Sequence, residues 1–242
     1  MSVTIDKTYL DIWNEYSSLE EEFKNIIQHI PLADEHMKVW SLKIGDILIV
    51  LGSVMDSFFK FSINHSIFDE VTNIQEIRSK SRLDMGDYRE VFEKYYTPSN
   101  KYVYIRYMEK RIQPFDKWKT NSSLEWWEAY QHVKHDRFSN KKEATIENLL
   151  LGMTGFFLLN AIHIPSRIVL ARRELWKDSY GNQYGPAFLE NLLENNGPIQ
   201  SLGGMLYLET DLFGHILDNG SKEYRDEAEW HKILKLLKEP SY

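Results

Sequence analysis

Between Tyr9 and Ile30 the apolar residues Ile12, Tyr16, Leu19, Phe23, Ile26 and Ile30 recur at alternating spacings of four and three. That spacing predicts one face of an amphipathic helix, with Glu20, Glu21, Glu22 and Lys24 on the solvated side and Pro31 as its end. A second helix is predicted from about Val39 to His65. It is apolar nearly all round through Leu48–Leu51 and Phe58–Phe61, so neighbours must cover it, and Gly45 and Gly52 would allow close backbone approach. Residues 69–87 are polar and read as a connection with short helical turns at most, before a helix over Tyr88–Tyr96 and a break at Thr97-Pro98-Ser99-Asn100.

The pattern then changes. Tyr102-Val103-Tyr104-Ile105-Arg106-Tyr107 is rich in β-branched and aromatic residues, and Arg111-Ile112-Gln113-Pro114-Phe115 follows closely. Together they predict a small hairpin over about 101–115, with Pro114 placing its second strand at an edge. Ser122-Ser123-Leu124-Glu125 has the form of a capping box, which starts a helix from Leu124 to about Phe138. Asn140 with Glu143 repeats the signal and opens a long helix whose apolar stretch, Leu149–Ile164, reaches Pro165. A further helical segment, Arg167–Trp176, follows. Past Ser179, glycines and prolines break up short apolar pieces; Met205–Leu217 predicts a strand pair turning near Thr210-Asp211, and Ser221 caps a final helix through Leu237. The expected fold is mainly α, a helical bundle with one or two small β-hairpins. Residues 1–176 form the bundle with its inserted hairpin, and 177–242 form a loop-rich C-terminal extension packed on the same domain.

Composition bounds the chemistry. A chain of 242 residues with 43% apolar and 27% charged positions can bury a sizeable core without staples. The absence of cysteine excludes disulfides, thiolate metal sites and a cysteine nucleophile, and agrees with a reducing, cytoplasmic setting. Met1–Asp11 lacks the basic start and apolar run of a signal peptide. Neither apolar stretch suits a membrane span of roughly 20 apolar residues. Ile44–Ile63 contains Asp46, Asp56 and Lys60, and Leu149–Ile164 is short and interrupted by Gly152, Thr154, Gly155, Asn160 and His163. A net charge of −7 argues against a surface that attracts nucleic acid everywhere and leaves room only for a local basic patch.

The densest collection of chemically capable side chains is Trp126-Trp127-Glu128-Ala129-Tyr130-Gln131-His132-Val133-Lys134-His135-Asp136-Arg137. At helical spacing Trp127, Tyr130 or Gln131, and Lys134 share one side, while His132 and His135 share another. Histidine exchanges protons near neutrality, and Lys and Arg hold a phosphate and offset charge developing during its transfer. That set suits metal-independent RNA cleavage, with His135 as acid or base, Lys134 and Arg137 on the phosphate, and His132, Tyr130 and Trp127 as substrate contacts. The same residues also fit a plainer role, with Trp126, Trp127 and Tyr130 as core aromatics and Lys134 and Arg137 favouring a helix C-terminus. No HExxH and no carboxylate cluster accompanies the two histidines, so no metal or other cofactor is expected. A second basic cluster, Arg167, Arg172 and Arg173, would cover the Lys134–Lys142 region if the helices fold back. His163 and Asn160 are expected as hydrogen-bonded core groups. Asp46 or Asp56 is expected to accept from Lys134, Arg137 or His163, because a buried carboxylate is costly unless paired.

The run Ile112-Gln113-Pro114-Phe115, then Trp126-Trp127, Tyr130, Val133-Lys134-His135 and Arg137 ahead of an apolar helix, resembles uncharacterised prokaryotic proteins related to the HEPN superfamily, over roughly 112–165. The superfamily consists of helical bundles. Many are ribonucleases of toxin–antitoxin and phage-defence systems, and others are noncatalytic binders of nucleic acid or protein. The resemblance implies an RNA ligand, a homodimer and an operon-encoded protein partner. It also implies a catalytic Arg, usually followed by a polar residue, with a His after four to six intervening positions. No Arg precedes His132 or His135 in that way; the matching pair is Arg225-Asp226 with His231, in the predicted final helix. A noncatalytic scaffold protein is the alternative.

Overall fold

The computed structural model describes residues 7–177 and 207–216. The fold is mainly α, with seven α-helices and five short strands among those residues. Contacts divide the chain into two compact units. One is helical and spans 11–101 and 113–159; the other holds the sheet and draws, among the described residues, on 7–10, 102–112, 160–177 and 207–216.

In the helical unit, α1 (Lys7–Ile27) buries Ile12, Tyr16, Leu19 and Phe23 as the spacing predicts. Its buried stripe also takes in Trp13, Glu20 and Ile27, while Ile26 and Ile30 are only half-buried. Glu20, expected in solvent, lies on the same side as Tyr16 and Phe23, because a 3.6-residue turn carries the stripe across it. The helix α2 (Leu42–Ile63) starts where Ser41 Oγ accepts from Ile44 N at 3.1 Å. Ile44, Leu48, Leu51, Met55 and Phe58 are buried, but Leu42 and Val50 face outward beside Asp46, so covering is less complete than the apolar run suggests.

Helix α6 (Ile146–Ile162) is the centre, with Leu149, Met153, Phe156 and Phe157 fully buried. It packs on α2 through Phe58 and Phe156, whose rings lie 5.8 Å apart, and at Gly152, where a Cβ would stand 3.0 Å from Leu51 Cδ2. The two apolar helices are therefore buried against each other. On α2's other flank, α5 (Glu125–His135) sets Tyr130 against Gly52 so closely that a Cβ there would lie 2.4 Å from the ring.

Several helix ends differ from expectation. The Ser122–Glu125 capping box does not form; Leu124 precedes α5, and Ser122 Oγ instead shares a hydrogen bond with Thr120 Oγ1 at 3.0 Å. Helix α5 also stops at His135 rather than Phe138, because Asn140 Nδ2 donates back to the His132 carbonyl at 3.0 Å and closes the last turn. Asn140 therefore ends one helix instead of starting the next. Helix α6 begins beyond Thr145, whose Oγ1 accepts from Asn148 N at 3.2 Å. The connection over 69–87 contains a short α3 (Ile74–Ser79), and α4 (Met85–Tyr96) starts ahead of Tyr88 because Asp84 and Asp87 form a reciprocal capping box.

The other unit holds one antiparallel sheet of order β2-β1-β5-β4-β3, built from β1 (Val103–Ile105), β2 (Lys110–Ile112), β3 (Trp176–Lys177), β4 (Tyr207–Glu209) and β5 (Phe213–Ile216). The hairpin near residue 105 and the strand pair turning at Thr210-Asp211 are both present. Backbone pairing of Tyr104 with Gly214 joins them, so the hairpin belongs with the C-terminal strands rather than inserted in the bundle. Strand β2 is an edge, as Pro114 implied. Helix α7 (Ile164–Arg172) ends before Trp176, which is in β3, so the helix expected to run to Trp176 is shorter. His163 and Asn160 are fully buried, with His163 Nε2 2.9 Å from the Tyr9 hydroxyl. The helix predicted over 221–237 lies outside the described residues. No single helix among the described residues is long and apolar enough to cross a membrane.

Because the Gly52 hydrogen faces a ring and not a flexible chain end, Gly52→Ala forces α5 away from α2. We expect it to lower unfolding free energy by about 1–3 kcal/mol, the usual cost of overpacking a tight core. A urea titration checks this, and an unchanged midpoint would contradict the Tyr130 contact.

Candidate functional site

The C-terminal turns of α5, the solvent edge of α2 and the chain entering α4 enclose a cleft of about 580 Å³ within the helical unit. Helix α5 contributes Trp127, Gln131, Lys134 and His135; α2 contributes Asp56 and Lys60; residues 82–86 and Tyr88 complete the wall. Each wall has a local cause. The i, i+4, i+7 and i+8 spacing from Trp127 puts those α5 residues on one side. Asp84, by accepting from Gly86 N at 2.8 Å and Asp87 N at 3.1 Å, fixes where α4 begins and holds Arg82 just ahead of it.

Electrostatics within the cleft are uneven. Three cations, Lys60, Arg82 and Lys134, face two carboxylates, Asp56 and Asp84. Asp56 is occupied, accepting from Lys60 Nζ at 2.5 Å and from the Tyr88 hydroxyl at 2.6 Å. Burial, together with that Asp56 contact, pushes the Tyr88 phenol well above the ordinary tyrosine range, so it stays a donor. Asp84 is engaged by the backbone of α4. The cationic charge at the other end is not neutralised: Arg82 and Lys134 have no carboxylate partner among the described residues. Lys134 Nζ donates to the Tyr130 hydroxyl at 3.0 Å, which aims it without discharging it. His135 is exposed at the cleft mouth and its ring makes no hydrogen bond among the described residues.

The nominated residues thus separate into groups. Lys134, His135 and Trp127 come together in the cleft, and Tyr130, 1% exposed, lies beneath as the support of Lys134. Arg137 does not join them. Its guanidinium pairs with Asp46 Oδ1 at 2.6 Å and donates to the Leu42 carbonyl at 2.9 Å, fulfilling the expected bond from α5 to an α2 carboxylate. Asp46 itself is half exposed rather than buried. His132 is turned to Glu143, 2.8 Å from Nδ1, outside the cleft lining. Trp126 and Trp127 are core aromatics: Trp126 Nε1 donates to the Pro114 carbonyl at 3.0 Å and its ring meets Phe115 edge-on. Arg167 belongs to the sheet-bearing unit, where its Nε donates to the Ala161 carbonyl at 2.8 Å. The Arg172 side chain, Arg225 and His231 lie outside the described residues.

Arg82 and Asp84 have no role in the sequence pattern because residues 69–87 look like a plain polar connection, and Tyr88 is visible there only as the first residue of the predicted helix. The Asp84-to-Asp87 spacing was the available signal, since it marks a helix start with Arg82 immediately before it. Among the described residues no three His, Asp or Glu side chains gather in the manner of metal ligands.

Asp84→Ala removes a cap, so we expect about 1 kcal/mol of lost stability and faster hydrogen exchange in the first turn of α4; unchanged exchange there would contradict the capping role. Asp136, held below the ordinary carboxylate range by Ser139, whose backbone N donates to it at 3.1 Å, gives a pH signature. Its folded-state value is depressed, so its contribution is present above the unfolded value near 4 and is lost as pH falls through the folded one. Asp136→Asn should therefore flatten the acid limb of a stability–pH profile, which thermal melts at acid and neutral pH compare. Compared with known protein families, curated proteins and solved structures, the chain matches none of them.

Proposed function

We propose that the helical unit binds a phosphodiester in the cleft between α2, α4 and α5, with RNA the ligand class that the HEPN resemblance implies. The observation that carries this is the pair Arg82 and Lys134, two cations without carboxylate partners, beside the open imidazole of His135. Arg82 and Lys134 are both exposed, so an incoming anion can reach them, and a phosphate oxygen is the complementary acceptor. The −7 net charge confines such binding to this local region and makes it salt-dependent.

Cleavage is the second reading, favoured by the position of His135. RNA transesterification needs a proton taken from the 2′-hydroxyl and one delivered to the departing 5′-oxygen. Among the described residues His135 is the one imidazole lining the cleft, and Arg137, the cation expected beside it, is tied to Asp46. Binding therefore has the stronger support, and a ribonuclease of a toxin–antitoxin or phage-defence system remains the catalytic form of the proposal.

The test separates the two. A labelled single-stranded RNA, titrated by anisotropy in EDTA, should bind the wild-type protein and lose at least ten-fold affinity with Arg82→Ala and Lys134→Ala combined. If the same RNA is cut, His135→Ala should abolish cutting while leaving most of the affinity. Affinity indifferent to Arg82 and Lys134 would end the cleft proposal, and RNA left intact by wild type would end the catalytic one.

A further inference from the structure

Past the mouth of the cleft, the chain turns through 136–144 and is pinned onto the segment before α2. Ser41 N donates to the Ala144 carbonyl at 3.4 Å, Trp40 pairs with Thr145 as an isolated antiparallel bridge, and Arg137 reaches the Leu42 carbonyl. Asn140 Nδ2, bonded to the His132 carbonyl, folds the same turn back on the last turn of α5. Two aromatic side chains stand exposed on this frame: Phe138, at 79%, and Trp40, at 39%. Lys141 Nζ lies over the Trp40 ring, 5.7 Å from its centre, and Lys142 is exposed beside it.

A lone exposed apolar residue carries no information. Here the charge around the pair does. Of the neighbouring carboxylates, Asp46 pairs with Arg137 and Glu147 with Lys38, while Glu143 meets the His132 ring and Asp136, hydrogen-bonded by Ser139, keeps its negative charge. Lys141 and Lys142 have no carboxylate partner among the described residues. Exposed aromatic rings interleaved with lysines that have no carboxylate partner are the features that hold a single strand, whose unpaired bases stack while its phosphates meet lysine. A duplex hides its base faces and could use only the lysines.

We propose that this turn is a stacking platform for single-stranded nucleic acid passing the cleft, with Phe138 and Trp40 taking bases and Lys141 and Lys142 taking phosphates. The inference rests on the phosphodiester reading of the cleft. Phe138 follows His135 by three residues, which puts the turn next to the cleft residues along the chain.

The test uses the full chain, a short fluorescein-labelled oligouridine and a duplex of the same length, followed by anisotropy across a salt series. Phe138→Ala is the primary variant, since so exposed a side chain supports no core. It should weaken oligouridine binding by roughly ten-fold and duplex binding far less. Lys141→Ala with Lys142→Ala should reduce the slope of log affinity against log salt by about 1.4, two phosphates' worth for a single strand. Oligouridine binding that depends on Arg82 and Lys134 but not on Phe138 overturns the platform and leaves the cleft reading intact. Binding that depends on Phe138 but not on Arg82 or Lys134 supports the platform and overturns the cleft. No binding of oligouridine by wild type overturns both. Sedimentation with phosphatidylcholine–phosphatidylserine vesicles that is lost in Phe138→Ala, with strand affinity unchanged, overturns the platform in favour of a lipid surface.

Discussion

The Tyr130 ring lying on the bare Cα of Gly52 sets the geometry from which the rest of the site follows. Cores pack at crystal-like density, so a contact this close leaves no slack in the spacing of α2 and α5. It is also directional. With Tyr130 buried face-on against α2, its hydroxyl is carried to the edge of the core, where it receives Lys134 Nζ. The ring belongs to the core and the oxygen belongs to the cleft. Lys134 and His135 are therefore held by the same contact that joins the helices, and Asp46 with Arg137 fastens the far end of α5 to the start of α2.

Charge is sorted rather than scattered in this part of the molecule. Asp56 holds Lys60 and Tyr88; Asp84 and Asp87 cap α4, and Asp87 also takes Lys80 at 2.6 Å. Glu143 takes His132, and Asp46 takes Arg137. What remains without an acidic partner is a short series, Arg82, Lys134, Lys141 and Lys142, along the end of α5 and the turn beyond it. In an acidic protein these four side chains are cations of the cleft and the turn that an anion can meet unpaired. The exposed Phe138 and Trp40 lie in and beside the turn, so the two proposed contacts, phosphate in the cleft and base on the turn, differ in chemistry as well as position.

Much of this was legible in the sequence, for identifiable reasons. The long apolar helices, the glycine at 52, the hairpin after Thr97-Pro98 and the strand pair turning at Thr210-Asp211 all follow from local pattern, whereas the sequence does not decide which of Asp46 and Asp56 takes Arg137, and Asp46 does so half exposed rather than buried. What failed was the reading of competing polar side chains. Ser122 and Glu125 have the letters of a capping box, but Ser122 is engaged with Thr120; Asn140 reads as a helix start and serves as a helix end. Which backbone a short polar side chain satisfies is decided by tertiary approach, and single-sequence spacing does not encode that. The cleft was half visible for the same reason. Lys134 and His135 stood out as neighbours of the tryptophans, whereas Arg82 became part of the site only when α4 was folded beside α5. Joining of the hairpin to strands a hundred residues away is likewise a long-range pairing that local alternation cannot specify.

The central claim is that Arg82, Lys134 and His135 act together as one anion site. The most direct measurement is a titration of inorganic phosphate into the isotopically labelled protein at fixed pH, following the His135 ring signals, assigned by their loss in His135→Ala. Saturable shifts of those signals are expected, and they should disappear when Arg82 and Lys134 are both replaced by alanine. Ring signals that ignore phosphate, or that respond equally well without the two cations, would contradict it.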